Sequence, residues 1–441
     1  MEVQVKRTLV VPPPPTCETE EVPLTVFDLV APTYHVTVLF AFSPPNPTTR
    51  ALLDALSAML PHFPLLTARL ERRGARRRPF FVTGRGGAGA LVVEAEVSSE
   101  LADHLPLAPS PELARLHPPV NTDAPTPHVL LVQINRFACG GLVVASSAHH
   151  QAADAPSFTR GPTPSVATER RCLTDLYRTA PARSLAAPPA AFEHRGKEFL
   201  PHDGVTSRQG QGADTGAVRI DPSEVANVLL HCPSEFVAEL KRRAQGKYTT
   251  FETVSAHVWK KITAVRGLDA GVRTSVNVSV NGRARLGTAA VPNGFFGNLI
   301  ITASSGATAR ELTTGTLADA AALVRAGIRA VDRRYFQSFV DFGALHCDGD
   351  GDEDEPVEPV NVDEPGVLSP DVDSDSWLHL ELHRLDLGLG GRLAGILPAK
   401  VPEDGVVVVM PSLRKGGGVE VFVALWEKHA KELTSIAYTM D

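Results

Sequence analysis

The chain has 441 residues, too many for one ordinary core, so two domains are expected. Its 43% hydrophobic and 21% charged residues are usual for a soluble globular protein, and a net charge of −7 argues against nucleic acid or an anionic membrane as partner. There is no apolar run of bilayer length and no secretory leader pattern, and five scattered cysteines without a CxxC pair point to reduced thiols in the cytoplasm.

Residues 3–10, VQVKRTLV, alternate like a strand and stop at a run of four prolines. A short apolar segment, 22–28, precedes Tyr34-His35 and a second strand-like run, 36–42. Thr48 is placed to cap a helix over 50–60 with Leu52, Leu56, Met59 and Leu60 on one face. Residues 79–96 read as two strands around a glycine-rich turn, and 98–126 as loop with a short helix.

Two apolar runs, 129–134 and 142–145, flank Cys139-Gly140-Gly141 and predict a hairpin. The second run empties into His149-His150-Gln151-Ala152-Ala153-Asp154. Burying an imidazole costs free energy unless it is hydrogen-bonded. His150 therefore reads as a general base, since the ring titrates near neutral pH and can take and return a proton. Asp154 either holds the backbone or ring in one pose or pairs with another charge. The bland alternative is a satisfied core histidine followed by an aspartate that caps the next helix.

In 156–190 the prolines Pro162 and Pro164 disrupt helix formation, which leaves only 172–177 helical. Residues 187–220, rich in Pro, Gly and charge, read as an exposed crossover between an N-terminal domain, 1–186, and a C-terminal domain, 221–441. Beyond it, Ser234 is expected to cap a helix running to Ala244, and 250–264 forms an amphipathic helix with Val254, Val258 and Ile262 four apart. A strand over 274–280 and a long helical region over 312–335 follow. The acidic stretch 348–355, DGDGDEDE, lacks the bidentate Glu and flanking helices of a calcium loop and reads as solvated loop.

The tandem-histidine segment resembles the HxxxD active-site segment of the BAHD acyltransferases, which move an acyl group from coenzyme A to an alcohol or amine. Further matches follow in family order: Thr253-Val254-Ser255-Ala256-His257-Val258-Trp259, then Asn281-Gly282-Arg283-Ala284-Arg285-Leu286 with Asn293-Gly294-Phe295-Phe296-Gly297-Asn298, then Ser376-Trp377 with Asp386-Leu387-Gly388-Leu389-Gly390, and Met410-Pro411-Ser412. They span nearly the whole chain apart from 156–190. Ala155-Pro156 stand where the family has Gly, and Leu387 and Leu389 replace its aromatics.

This resemblance implies an α/β (α+β) architecture: two chloramphenicol acetyltransferase-like domains, mixed β-sheets flanked by helices, and an active-site tunnel between the domains. It implies acyl-CoA as co-substrate, no resident cofactor or metal, and a monomer. His150 and Asp154 are the expected catalytic pair, and Asp386 is expected to pair with Arg283 or Arg285 as a structural bond. Ser255 matches the pantetheine-contacting helix; Arg414 and Lys415 could meet phosphates or simply solvate the surface.

Within the family, segments at 136–140, 193–196, 267–269, 335–339 and 368–377 resemble the agmatine and putrescine hydroxycinnamoyltransferases of grasses. The resemblance implies that Asp373 and Asp375 face the cationic end of an amine acceptor. A diamine keeps one positive charge while its other nitrogen attacks, and that charge needs a carboxylate when it leaves water. Alternatively these acids solvate a loop. The expected function is hydroxycinnamoyl transfer to agmatine or putrescine. The rivals are transfer to an alcohol and a catalytically silent relative that binds CoA esters.

Overall fold

In a computed structural model the described residues are 1–14, 18–72, 79–118, 126–158, 191–200, 220–288, 290–291, 295–346, 358–360, 369–388 and 390–440. The expectations for 172–177, 348–355, Leu389 and most of the crossover lie outside them. In chain order the strands are β1 (Val3–Val11), β2 (Glu20–Pro23), β3 (His35–Phe42), β4 (Arg69–Glu71), β5 (Phe80–Thr83), β6 (Ala90–Val97), β7 (Leu130–Phe137), β8 (Leu142–His149), β9 (Val225–Cys232), β10 (Arg273–Asn281), β11 (Ile300–Thr308), β12 (Val372–Ser376), β13 (Leu393–Pro398), β14 (Val406–Pro411) and β15 (Val419–Trp426).

They form two large mixed sheets and a small one. The first runs β1-β6-β7-β8-β3-β13, the second β11-β10-β12-β14-β15-β9, and the small one β2-β5-β4. β7 and β8 make the expected hairpin, with Gly140 at φ +81° in its turn. A left-handed residue there carries no penalty when it lacks a Cβ. β8 then pairs with β3 so that His149 lies opposite His35. The outermost strand, β13, comes from the far end of the chain and closes the first sheet by pairing with β3.

Helix Thr250–Arg266 is buried along almost its whole length beneath the second sheet. Thr249 and Glu252 form a reciprocal capping box at its start, and Gly267 ends it in the left-handed region. Helices Ser234–Arg243, Leu317–Ala330 and Glu427–Ile436 pack around it. Val254, Val258 and Ile262 enter the core of the second sheet as their spacing predicts.

Several expectations need correction. Ser234 is the first helical residue rather than the cap, and its hydroxyl donates to the Gly416 carbonyl at 2.7 Å. The region 312–335 is not one helix: Ala309–Thr314, Leu317–Ala330 and Arg333–His346 follow one another, because Thr316 with Asp319 caps a fresh start and Asp332 accepts from the Tyr335 N–H. β12, where the acids were alternatively expected to solvate a loop, is a central strand of the second sheet.

Candidate active site

His150 follows directly on β8, in a short 3₁₀ turn over His150–Ala152. Two contacts from different parts of the chain hold its backbone. Its N–H donates to the Tyr34 carbonyl at 3.0 Å, and its carbonyl accepts from Asn298 Nδ2 at 2.9 Å. The residue is half-buried, and its Nδ1 is buried without a hydrogen-bond partner. Burial pulls the imidazole pKa down, opposed by the charges of Asp154 and Asp375 and by the nearby Asn298 side chain. The ring is thus neutral at neutral pH, which is the form a base needs. The neighbouring His149 is also pulled down, to about 4, by burial and by His35. Its ring stacks edge-on against His35, with centroids 5.1 Å apart.

Asp154 is wholly buried and meets a charge, one of the two roles considered for it. Arg283 grips its two oxygens with Nη1 at 2.7 Å and Nη2 at 2.9 Å. The Ser157 N–H and hydroxyl and the Leu299 N–H complete the shell, at 3.2, 2.9 and 2.9 Å. A carboxylate so surrounded is an anchor joining the end of β8 to the second half of the chain.

That bond overturns the expected pairing of Asp386. Arg283 is already taken by Asp154, and Arg285 donates to the Ile328 carbonyl at 3.1 Å. Asp386 is exposed and accepts from the Gly388 N–H at 2.8 Å, closing its own loop. It lines an open cavity of about 640 Å³ with His383, Arg384 and Arg392. With Leu387 in place of an aromatic, the loop has less apolar surface to draw the carboxylate inward.

β12 explains the acids. Val372 and Ser374 are 1% exposed and face helix Thr250–Arg266, where Ser374 bonds the Ser255 hydroxyl at 2.8 Å. Side chains alternate along a strand, so Asp373 and Asp375 share the opposite face, with Asp371 immediately before the strand. Asp371 accepts from the Ser275 N–H at 2.7 Å and Asp373 from Asn277 Nδ2 at 2.8 Å. Glu403 joins them and accepts from the Tyr34 hydroxyl at 3.2 Å. Burial and the charges of Asp375, Glu403 and Asp371 push the Asp373 carboxyl up to about 7. The Asp375 charge also reaches His150, so this acidic wall and the imidazole share one region.

The other predicted residues lie elsewhere. Ser255 is 2% exposed and occupied by Ser374. Arg414 pairs with Glu420 at 3.0 Å, and Lys415 is exposed beside it. Asp371, Glu403, Tyr34 and Asn298 carry the site yet went unassigned on sequence. The period-two spacing of three aspartates was the signal for the first of these.

The model of the family described as "Transferase family" matches residues 1–440. Tryptamine hydroxycinnamoyltransferase 2 of Oryza sativa subsp. japonica is 34% identical, over 95% of this chain and 93% of its own. Agmatine hydroxycinnamoyltransferase 1 from the same plant is 32% identical with the same coverage of both chains. Agmatine coumaroyltransferase-1 of Hordeum vulgare is 31% identical, over 96% and 95%. The fold is that of vinorine synthase, with a TM-score of 0.67 at 19% identity over 98% of each chain. It is also that of F. graminearum TRI101 complexed with coenzyme A and deoxynivalenol, at 0.65 and 16% over 94% of this chain and 97% of the other. With two domains of mixed sheets flanked by helices and relatives matched end to end, the chain belongs to the BAHD acyltransferases of the transferase family.

Proposed function

We propose that the protein transfers a hydroxycinnamoyl group from a coenzyme A thioester to one nitrogen of an amine that carries a second positive charge, such as agmatine or putrescine. The observation that carries this reading is the acidic wall at β12, where Asp371, Asp373 and Asp375 stand with Glu403 in the region of His150. The carboxyls raise one another's cost of ionisation, and a guanidinium or ammonium would relieve it. An acceptor whose only basic nitrogen is the attacking one, such as tryptamine, leaves that wall unneutralised. The names of the relatives support an amine acceptor and a hydroxycinnamoyl or benzoyl donor.

The acceptor nitrogen attacks the thioester carbonyl while His150 takes its proton. The C–N bond forms, the tetrahedral intermediate collapses, the C–S bond breaks, and the proton goes to the departing thiolate. Asp154 contributes by fixing the turn that bears the base. Pantetheine contact at Ser255 requires that this buried hydroxyl, bonded to Ser374, be uncovered, and Arg414 and Lys415 are the candidate partners of the phosphates.

The test is incubation with p-coumaroyl-CoA and a panel of agmatine, putrescine, tyramine, tryptamine and shikimate, following thiol release. Amides of agmatine or putrescine are expected, with turnover lowered about 10²–10⁴-fold in His150→Ala. Full activity in that variant removes the base. An ester of shikimate as main product makes the enzyme an O-acyltransferase. Thermal stabilisation by CoA without turnover makes it a silent binder.

A further inference from the structure

We propose that Asp28 and Asn298 are positioning residues for His150: the Asp28 carboxylate sets the orientation of the Asn298 amide, and the amide fixes the histidine with Nδ1 as its donor edge and Nε2 free to take the acceptor's proton. The inference rests on the reading of His150 as base.

Asn298 is 2% exposed. Its Nδ2 has two hydrogens, and both are used: one goes to Asp28 Oδ1 at 3.0 Å, the other to the His150 carbonyl at 2.9 Å. An ionised carboxylate can only accept. Flipping the amide would set its oxygen against a carboxylate oxygen and leave the His150 carbonyl without its donor, so the network decides the orientation.

Asp28 is itself immobile. It is wholly buried, and its other oxygen accepts from the Thr25 N–H at 2.7 Å and the Thr25 hydroxyl at 2.8 Å. Its helix, Val26–Leu29, is wedged by Phe27 against Phe336 and Phe339 of helix Arg333–His346.

With Nδ2 committed, Asn298 Oδ1 is left buried without a partner, and so is His150 Nδ1. One orphan can only accept; the other donates when it carries the proton. Asn298 and the histidine's own carbonyl both favour a proton on the ring. The remaining groups around the ring are accounted for. Asp154 is held by Arg283, Asp375 lies across on β12, and His149 is kept neutral by burial. Asn298 is therefore the side chain best placed to choose the tautomer.

The experiment measures kcat, KM and the pH profile of kcat for the full chain with p-coumaroyl-CoA and agmatine. Asn298→Ala is expected to lower kcat about 10–100-fold with KM for the amine within about twofold. Because a group that favours the protonated ring is gone, the acid limb of the profile should move to lower pH. Asp28→Asn keeps size and shape but lets the amide turn, and should give a smaller change of the same kind. On a His150→Ala background, Asn298→Ala should cost nothing more. Unchanged kcat and acid limb in both single variants overturn the proposal, as does an equal loss on the His150→Ala background. Full activity of His150→Ala alone instead removes the base reading beneath it.

Discussion

Asp154 and Asp373 are both aspartates withdrawn from bulk water in the same region, and their surroundings are opposite. Asp154 is saturated: two guanidinium nitrogens, two backbone N–H groups and a hydroxyl meet its oxygens. Asp373 accepts from Asn277 and is otherwise ringed by Asp371, Asp375 and Glu403. A carboxylate whose donors are all supplied by the chain has no use for a ligand. One whose neighbours are other carboxylates is held in an unfavourable state until a cation arrives.

Replacing the partner of the saturated carboxylate should have the largest effect. Arg283→Met leaves Asp154 buried and unpaired, and denaturant unfolding should show a loss of about 3–5 kcal/mol. A loss under about 1 kcal/mol would mean that the shell is ornamental and would dissolve the contrast.

Asp373→Asn sharpens the contrast from the other side. With agmatine its KM should rise at least about tenfold, a loss of about 1.4 kcal/mol, and with tyramine less than about twofold. The empty protein should also become more stable at pH 8. The folded carboxyl titrates near 7, above its ordinary 3.8, so its favourable protonated form is lost as pH rises through 7. Asn removes that loss, and the gain, about 1–2 kcal/mol after solvent screening, should shrink as pH falls below 7 and vanish only below about pH 3.8. Equal changes in KM for both amines would take Asp373 out of acceptor recognition.

The smallest effect belongs to Asp386. It is exposed and serves its own loop, so Asp386→Ala should change unfolding free energy by no more than about 0.5 kcal/mol and leave turnover as it was.

The hairpin carrying His150 was readable because two apolar runs and a glycine turn are local signals. The Asp154–Arg283 bond was not, since 129 residues separate its ends and nothing local to either announces the other. The resemblance instead suggested Asp386 as the partner of the arginine, a pairing this leucine-bearing loop does not make. β12 is hard to read for a different reason: its buried face is only Val372 and Ser374, too little apolar surface to mark a strand that also carries Asp373 and Asp375. Glu403 lies in the connection between β13 and β14, and no pattern within that turn marks it.

The first sheet is finished only when β13, at Leu393–Pro398, docks beside β3, more than 350 residues upstream. During synthesis the exposed edge of β3 must wait, with its backbone groups unpaired, until nearly the entire polypeptide has emerged. Such distant pairing is slow to form, and fragments cut in the crossover should not reconstitute as independent folding units. Expression as a single uninterrupted polypeptide, with care against aggregation before β13 arrives, follows directly from where that one strand comes from.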